Sequence, residues 1–441
     1  MNHLNIIRSE GFPLQKLKWL LNSLESGRRE VSDTDSFEGG VLSIGGEHIG
    51  WKGEWLLENP RYISREYFKS MGSGVIHVAD VLLVKDGATI GKVAIVRSAD
   101  AFEAAVNEHV FLLRFDPQQV PRFHFYSLQS PFVKQQIACE IRGAAQPGLN
   151  SEFQDIVLFP APSQVLQQKI ANFLDRETDR IDGLIAEKER MLALLEEKRA
   201  ALISRVVTRG LDPNAPLKPS SHEWIGEIPA HWELRRIKFV TAWLDQGSSP
   251  IASNVPAGPD ELGVLKLSAV SKGRFKREEN KALRGVDDEE QLLSLRKGDV
   301  LITRGNTPEL VADVACVPKD EPNLLLPDLI YRLRVQEEKI LAEYLTAFLT
   351  TAAARVQIRR DARGSSGSMV KVSQGHVLDW LTPLPPLSEQ REIVNYLRHT
   401  EELFRSAMGE ISSSLSLLSD RRAALITAAV TGQIPLEEMS G

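Results

Sequence analysis

The feature that most constrains this chain is its likeness to itself at a fixed offset of 223 residues. Pro160 and Pro162 recur as Pro383 and Pro385, and Gln167, Ile170, Asn172 and Leu174 recur as Gln390, Ile393, Asn395 and Leu397. Further along, Arg199-Ala200-Ala201-Leu202-Ile203 recurs as Arg422-Ala423-Ala424-Leu425-Ile426, and Val207-Thr208 as Val430-Thr431, with no gap. A period of this length is too long for a solenoid and suits duplicated domains. A register that never slips between Pro160 and Thr208 implies one rigid element in each copy.

That element reads as a helix, because only Gly183 and Gly409 interrupt it and its first copy is dominated by Glu, Lys, Arg, Leu and Ala. Its apolar residues fall on heptads. Leu174, Ile181, Leu195 and Leu202 take one core position of the first copy, with Ile185, Leu192 and Val206 at the other. In the second copy Leu397, Phe404, Ile411, Leu418 and Leu425 are joined by Met408, Leu415 and Ala429. Lys188 and Arg199 break the first stripe, and Arg422 repeats the Arg199 exception. A helix of about 45 residues would be about 65 Å long, more than a small domain needs. Two such stripes in one chain are most economically buried against each other as an antiparallel pair. The alternative is that each helix caps its own domain.

The segments before each helix also correspond, with the small shifts expected of surface loops. Leu14-Gln15-Lys16-Leu17-Lys18 resembles Leu234-Arg235-Arg236-Ile237-Lys238, and Asp80-Val81-Leu82-Leu83 resembles Asp299-Val300-Leu301-Ile302. These short β-branched runs, punctuated by Gly, Pro and Asp, predict a strand-rich α+β body in each half. The expected organisation is a first globular domain over 1–160, a long helix over 161–210, a linker over 211–223, a second globular domain over 224–382 and a second long helix over 383–434.

Composition narrows the class. With 42% hydrophobic and 25% charged residues the chain can bury real cores, and no apolar run or leader-like start suggests a membrane span or secretion, so a cytoplasmic protein is expected. Cys139 and Cys316 stand far apart without metal-ligand spacing, which favours buried structural thiols over a disulfide or zinc site. A net charge of -6 excludes a uniformly basic DNA-coating protein but leaves room for basic patches.

Motifs that resemble catalytic sites fail on their details. Gly87-Ala88-Thr89-Ile90-Gly91-Lys92 has its glycines one residue too close for a phosphate loop, and Val93 stands where Ser or Thr must hold magnesium. Asn59-Pro60-Arg61-Tyr62 resembles an adenine methyltransferase motif but lacks one proline and a preceding Gly-rich cofactor loop. Pro327-Asp328 with Glu337-Glu338-Lys339 resembles a magnesium nuclease set. The first half has no counterpart to its Glu-x-Lys, so a strand and turn is the preferred reading. His48, His77, His109 and His124 are scattered without partners at metal or nucleophile spacing.

Local charge is more informative. Lys266, Lys272, Arg274, Lys276, Arg277 and Lys281 crowd one stretch, and Arg355, Arg359, Arg360, Arg363 and Lys371 another that runs into Gly364-Ser365-Ser366-Gly367-Ser368. The counterpart of that loop is Arg142-Gly143-Ala144-Ala145-Gln146-Pro147. Such hydroxyls, amides and cations suit phosphates and bases, although a plain solvated loop is the alternative.

With these residues in view, the chain resembles the specificity subunits of type I restriction-modification systems over almost its whole length. The most specific marks are Trp224-Ile225-Gly226-Glu227-Ile228-Pro229-Ala230-His231-Trp232, Pro383-Leu384-Pro385-Pro386-Leu387-Ser388-Glu389-Gln390, and Arg199-Ala200-Ala201-Leu202-Ile203 with its repeat. The first half departs from the pattern by opening with only Glu10-Gly11-Phe12-Pro13. The resemblance implies two strand-rich target-recognition domains related by a pseudo-two-fold axis, joined by two long antiparallel coiled-coil helices, each reading half of a split site in double-stranded DNA. It implies two methyltransferase subunits and restriction motor-nuclease subunits as partners. S-adenosylmethionine, ATP and magnesium would belong to those partners, with no catalytic residue or metal in this chain. Candidate DNA contacts are then Lys85, Thr89, Lys92, Arg142 and Gln146 in the first half, and Lys272, Arg274, Lys276, Arg304, Asn306, Arg359, Arg360, Arg363, Ser365, Ser366 and Lys371 in the second. The competing classes are a stand-alone metal-dependent nuclease and a coiled-coil scaffold without DNA affinity.

Overall fold

A computed structural model of the chain describes residues 11–28, 39–97, 103–143, 147–283, 294–366 and 369–439. The chain divides into two compact units, Met1–Glu189 with Ile411–Gly441, and Arg190–Glu410. The boundary passes through both long helices, so each unit contains a globular body and a stretch of each helix.

In the first unit, β1 (Leu14–Lys16) pairs with β9 (Leu158–Pro160). Strands β2 (Leu21–Ser26), β8 (Val110–Phe115), β5 (Val81–Val84) and β6 (Val93–Ile95) form an antiparallel sheet in that order. A third sheet runs β4 (Tyr62–Ile63), β3 (Val41–Ile44) and β7 (Ala104–Val106), with β3 and β7 parallel. Helices α1 (Arg65–Ser70), α2 (Pro121–Gln129) and α3 (Pro131–Glu140) complete the body. Strand β5 is buried throughout because successive side chains serve two cores. Val81 and Leu83 meet α2 and the long helix, whereas Leu82 and Val84 meet Ile44, Val106 and Leu112.

The second unit repeats this plan. Strands β12 (Glu233–Arg236) and β26 (Leu381–Leu384) pair as β1 and β9 do. Strands β13 (Thr241–Gln246), β23 (Ile330–Val335), β19 (Val300–Thr303) and β21 (Val314–Cys316) form the antiparallel sheet. Strands β17 (Asn280–Ala282), β14 (Gly263–Leu265), β22 (Glu321–Leu325) and β18 (Ser294–Leu295) form the mixed sheet, with β14 and β22 parallel. The irregularity at Leu21/Ser23 returns at Thr241/Trp243. So does a glycine at a backbone contact: a Cβ on Gly27 would lie 1.5 Å from the Val106 carbonyl oxygen, and one on Gly247 1.7 Å from that of Leu326. The unit adds the hairpin β15 (Val270–Ser271) and β16 (Arg274–Phe275), a sheet of β20 (Gly305–Asn306), β25 (Met369–Lys371) and β24 (Arg363–Ser366), and helices α5 (Ala342–Leu349), α6 (Ala352–Asp361) and α7 (Gln374–Asp379). The segment expected as a linker contains β10 (Leu217–Pro219), which pairs with β11 (Glu227–Pro229).

The long helices are α4 (Gln164–Arg209) and α8 (Leu387–Val430). Pro162 and Pro386 stand just before their starts, while Gly210 and Gly432 follow their ends with φ of 75° and 79°, the left-handed turn that stops a helix. Within each unit the two helices run antiparallel. In the first, residues around Leu174 of α4 pack with Ile426, Ala429 and Val430 of α8, and Asp182 pairs with Arg422. In the second, Val206 and Val207 pack with Ile393 and Val394, and Arg199 pairs with Glu401.

Of the heptad positions, Leu174, Ile181 and Ile185 are buried, and Leu192, Leu195, Leu202, Leu397, Phe404, Ile411, Leu415, Leu418 and Leu425 are half-buried. The interruptions at Arg199 and Arg422 are answered by the acids of the partner helix. One expectation is corrected: Cys139 is exposed, because the period of α3 turns Val133 and Ile137 inward and residue 139 to solvent. Cys316 is half-buried, and burial pushes its thiol up to about 12. Among the described residues no helix is long and apolar enough to cross a membrane.

Candidate nucleic-acid interface

Each globular body is tied to its long helices by repeated polar contacts. Gln167 of α4 accepts the Val120 amide at 2.8 Å and donates to the Pro162 carbonyl and to Gln119 Oε1. Its mate Gln390 of α8 accepts the Leu341 amide at 2.8 Å and donates to the Pro385 and Lys339 carbonyls. A buried amide with every bond made has little freedom to be replaced. In the second unit the Trp224–Trp232 segment closes on the first turn of α8, where Trp232 Nε1 donates to Glu389 Oε2 at 2.8 Å and His231 Nε2 lies 2.6 Å from Glu389 Oε1. Tyr344 of α5 donates to the Val207 carbonyl of α4 at 2.9 Å.

The sheet β20–β25–β24 and the segments leading directly into it gather most of the second-half candidates. Gly305 pairs with Lys371 and Asn306 with Val370, while Arg363 pairs with Lys371 from the other side. Arg363 and Lys371 are exposed, and Arg304 and Asn306, which flank Gly305 on the neighbouring strand, are half-buried. Strand β24 includes Ser365 and Ser366, whose side chains lie outside the described residues. The last turn of α6 leads into it with exposed Arg359 and Arg360, the latter 3.0 Å from Asp361. Asp361 is in turn held by Trp380 Nε1 at 3.0 Å. Cations at a helix C-terminus are favoured by its dipole, so the local charge is well supported.

The first unit has the same three-part crossing in reduced form. Asp86 bridges to Gly148, and Gly148 to Arg142, as Gly305, Lys371 and Arg363 do in the second unit. Arg142 is exposed and within 3.8 Å of Glu140. Lys85 lies over the Phe111 ring at 4.9 Å. Thr89 is half-buried in the turn between β5 and β6. Lys92 is buried, with Nζ 3.5 Å from the Gly46 carbonyl oxygen and 5.6 Å from the Trp51 ring centroid. Gln146 lies outside the described residues.

Lys272, Arg274 and Lys276 occupy a different place, on and after the hairpin β15–β16. The Lys272 amide donates to both oxygens of Asp313, whose carboxyl burial pushes up. Arg274 pairs with Glu401 of α8. Burial drives the Glu401 carboxyl upward, but its bonds and proximity to Arg199 and Arg274 outweigh that and leave it below the usual carboxylate range. Lys276 is exposed.

The nuclease-like residues do not meet. Asp328 accepts a bond from Ser249 Oγ at 2.5 Å and precedes β23, whereas Glu337 and Lys339 follow it. Six residues of strand separate them by about 20 Å, too far to share an ion. No group of three or more metal-ligating side chains exists among the described residues. Gly87 and Gly91, with φ of 82° and 88°, form a strand-joining turn.

Sequence reasoning overlooked the acids. Asp182, Glu389 and Glu401 organise the helix ends and stripes, yet none of the three keeps its identity at the 223-residue offset. Gln167 and Gln390 do repeat, and a polar residue preserved within an apolar pattern could have been read as a buried tether.

No family model matches the chain. The specificity subunit of the type I restriction enzyme EcoEI from Escherichia coli is 26% identical over 216 residues, 49% of this chain and 36% of that protein. The EcoKI specificity subunit from Escherichia coli strain K12 is 24% identical over 342 residues, 76% of this chain and 70% of that protein. Against the first, the chain spans only about a third of the relative's length. A chain from a solved type I R-M system, described in terms of complex assembly and conformational transition, matches with a TM-score of 0.68 and 17% identity over 96% of this chain and 98% of that one, so the fold is shared.

Proposed function

We propose that this chain, a homologue of type I restriction enzyme specificity subunits, is the DNA-recognition subunit of such an enzyme, with each globular body reading one half of a split, asymmetric site. The observation that carries the reading is the duplicated crossing: Asp86–Gly148–Arg142 in one unit and Gly305–Lys371–Arg363 in the other, each beside cations. Exposed Arg and Lys give affinity through phosphates. The neighbouring backbone, Asn306 and the Ser365–Ser366 segment supply groups that can read base edges. Two similar readers in one chain suit two half-sites, as the two halves of a dimer do.

The long helices then set the gap between half-sites and dock methyltransferase subunits on their outer faces. Leu184 and Met191 on α4, and Leu403 and Leu417 on α8, are exposed at intervals that are multiples of seven. Such stripes are what a partner helix would cover. S-adenosylmethionine chemistry would reside in those partners, and ATP and magnesium in restriction subunits that join through them.

The test is to co-express the chain with a methyltransferase subunit from the same genome and map adenine methylation by single-molecule sequencing. One bipartite motif modified on both strands is expected, and removing one heptad from each helix should shorten its gap. A stable complex that modifies nothing, or a contiguous motif, would defeat the proposal and favour a scaffold.

A further inference from the structure

We infer that Glu401 and Asp182 are positioning residues: each fixes the angle at which a globular body is held on its own stretch of paired helix, and so restricts the gap length the protein accepts. The inference rests on the split-site reading above. In the second unit Glu401 of α8 accepts from Arg199 Nε of α4 through Oε2 at 2.5 Å, and through Oε1 from Arg274 of the β15–β16 hairpin. In the first unit Asp182 of α4 accepts from Arg422 Nε of α8 at 3.0 Å, and Lys52 Nζ of the globular body lies 3.9 Å from its other oxygen. Gln129 closes this second arrangement, accepting from Arg422 at 3.2 Å and donating to the Lys52 carbonyl at 3.0 Å.

In both units an arginine of one helix pairs with an acid of the other beside a cation of the globular body; Arg274 is hydrogen-bonded to Glu401, whereas Lys52 only approaches an Asp182 oxygen that makes no hydrogen bond, and Gln129 carries the link to the body there. Each of those cations adjoins a left-handed glycine, Gly53 with φ of 92° and Gly273 with φ of 82°. The arginines are repeat mates at the 223-residue offset. The acids are not: Glu401 corresponds to position 178, one helical turn away from 182. The arrangement has been kept although the residue supplying its centre has moved, which marks the arrangement itself as what matters.

Its surroundings explain why a polar clamp is needed. A cavity of about 660 Å³ beside Glu401 is lined by Arg199, Lys272, Arg274, Thr346 and Phe404, and one of about 420 Å³ beside Asp182 by Lys52, Trp55, Tyr126 and Arg422. Shared apolar cores hold body and helices together elsewhere in each unit, but beside these two acids the surface is open, and there polar contacts are what bridges body and helices. Half-buried ion pairs add little net stability but discriminate sharply between geometries. At a radius of about 20 Å a tilt of about 10° moves a reading surface by about 3.4 Å, the rise of one base pair.

The experiment uses the co-expressed methyltransferase complex and plasmids carrying its mapped motif with the native gap, one base pair less or one more. Glu401→Gln and Arg274→Ala should each bring methylation of the altered gaps to within about tenfold of the native gap, with the half-site bases unchanged. The double variant should do no more than either alone, and Asp182→Asn should act likewise from the first unit. Arg274 is half-exposed, so its variant keeps the test open if Glu401→Gln impairs folding. A Glu401→Gln complex that keeps a single gap overturns the inference. So does an Arg274→Ala complex that loses modification equally at every gap, the signature of a phosphate contact. A wild-type complex that modifies no split motif would instead refute the underlying reading before any variant is made.

Discussion

Lowering the pH from about 8 to about 5 should cost the first unit about 2 kcal/mol through a single residue, His124. Its ring is fully buried in α2, stacked on Phe115 with centroids 4.3 Å apart and set edge-on to Phe123 at 5.3 Å. Nε2 lies 3.0 Å from Gln119 Oε1, which can only accept, so the proton resides on Nε2. Nδ1 is buried without a partner, and a second proton there would place an unpaired N–H among aromatic rings. Burial accordingly lowers the His124 pKa from 6.5 to about 3. Because the folded-state value is depressed, the unfolded chain takes up a proton as pH falls through about 6.5 while the folded chain does not, and stability declines until pH approaches about 3. At pH about 5 the gap is about 1.5 pH units, or about 2 kcal/mol at 1.36 kcal/mol per unit. The loss would be felt where Gln119 also receives Gln167, the tether between α2 and α4. Urea unfolding followed by hydrogen exchange of first-unit amides, on wild type and His124→Phe, isolates this contribution from carboxylates that titrate in both. The variant should lose about 2 kcal/mol less over the interval. Identical pH dependence in the two proteins would refute the argument.

Leu174→Ala should destabilise the first unit by about 3 kcal/mol, since the side chain is fully buried against Ile426 and Val430, whereas Leu194→Ala, exposed on the same helix, should stay within about 0.5 kcal/mol. Equal effects in urea melts would mean the inner stripe is misassigned. Arg363→Ala and Lys371→Ala should each weaken binding of the assembled complex to every duplex and reduce the slope of log K against log salt by about 0.9 per phosphate lost. Anisotropy titrations that show an unchanged slope would remove those residues from the phosphate contacts.

The duplication, the long helices and their stripe were legible because a rigid helix tolerates no insertion, so Leu174/Leu397 and Arg199/Arg422 stay in register. The strand-rich bodies were legible as a class from runs such as Val81–Val84, but not their pairing, since the crossovers that set β3 beside β7 and β14 beside β22 depend on contacts distant in sequence. Charge density located Arg363 and Lys371 but could not tell them from Arg274, because an arginine's use depends on whether an acid such as Glu401 stands opposite in space. Asp182 and Glu401 were illegible for the same reason: they serve equivalent places from positions one turn out of register.

Exchange of one globular body tests the central claim most directly. Residues 233–382 would be replaced by the equivalent segment of a type I specificity-subunit relative, and the adenine methylation motif of the resulting complex mapped beside that of the parent. If each body reads its own half-site, one half of the motif should change while the other half and the gap persist. A change in both halves, or a motif that ignores the exchange, would contradict the account.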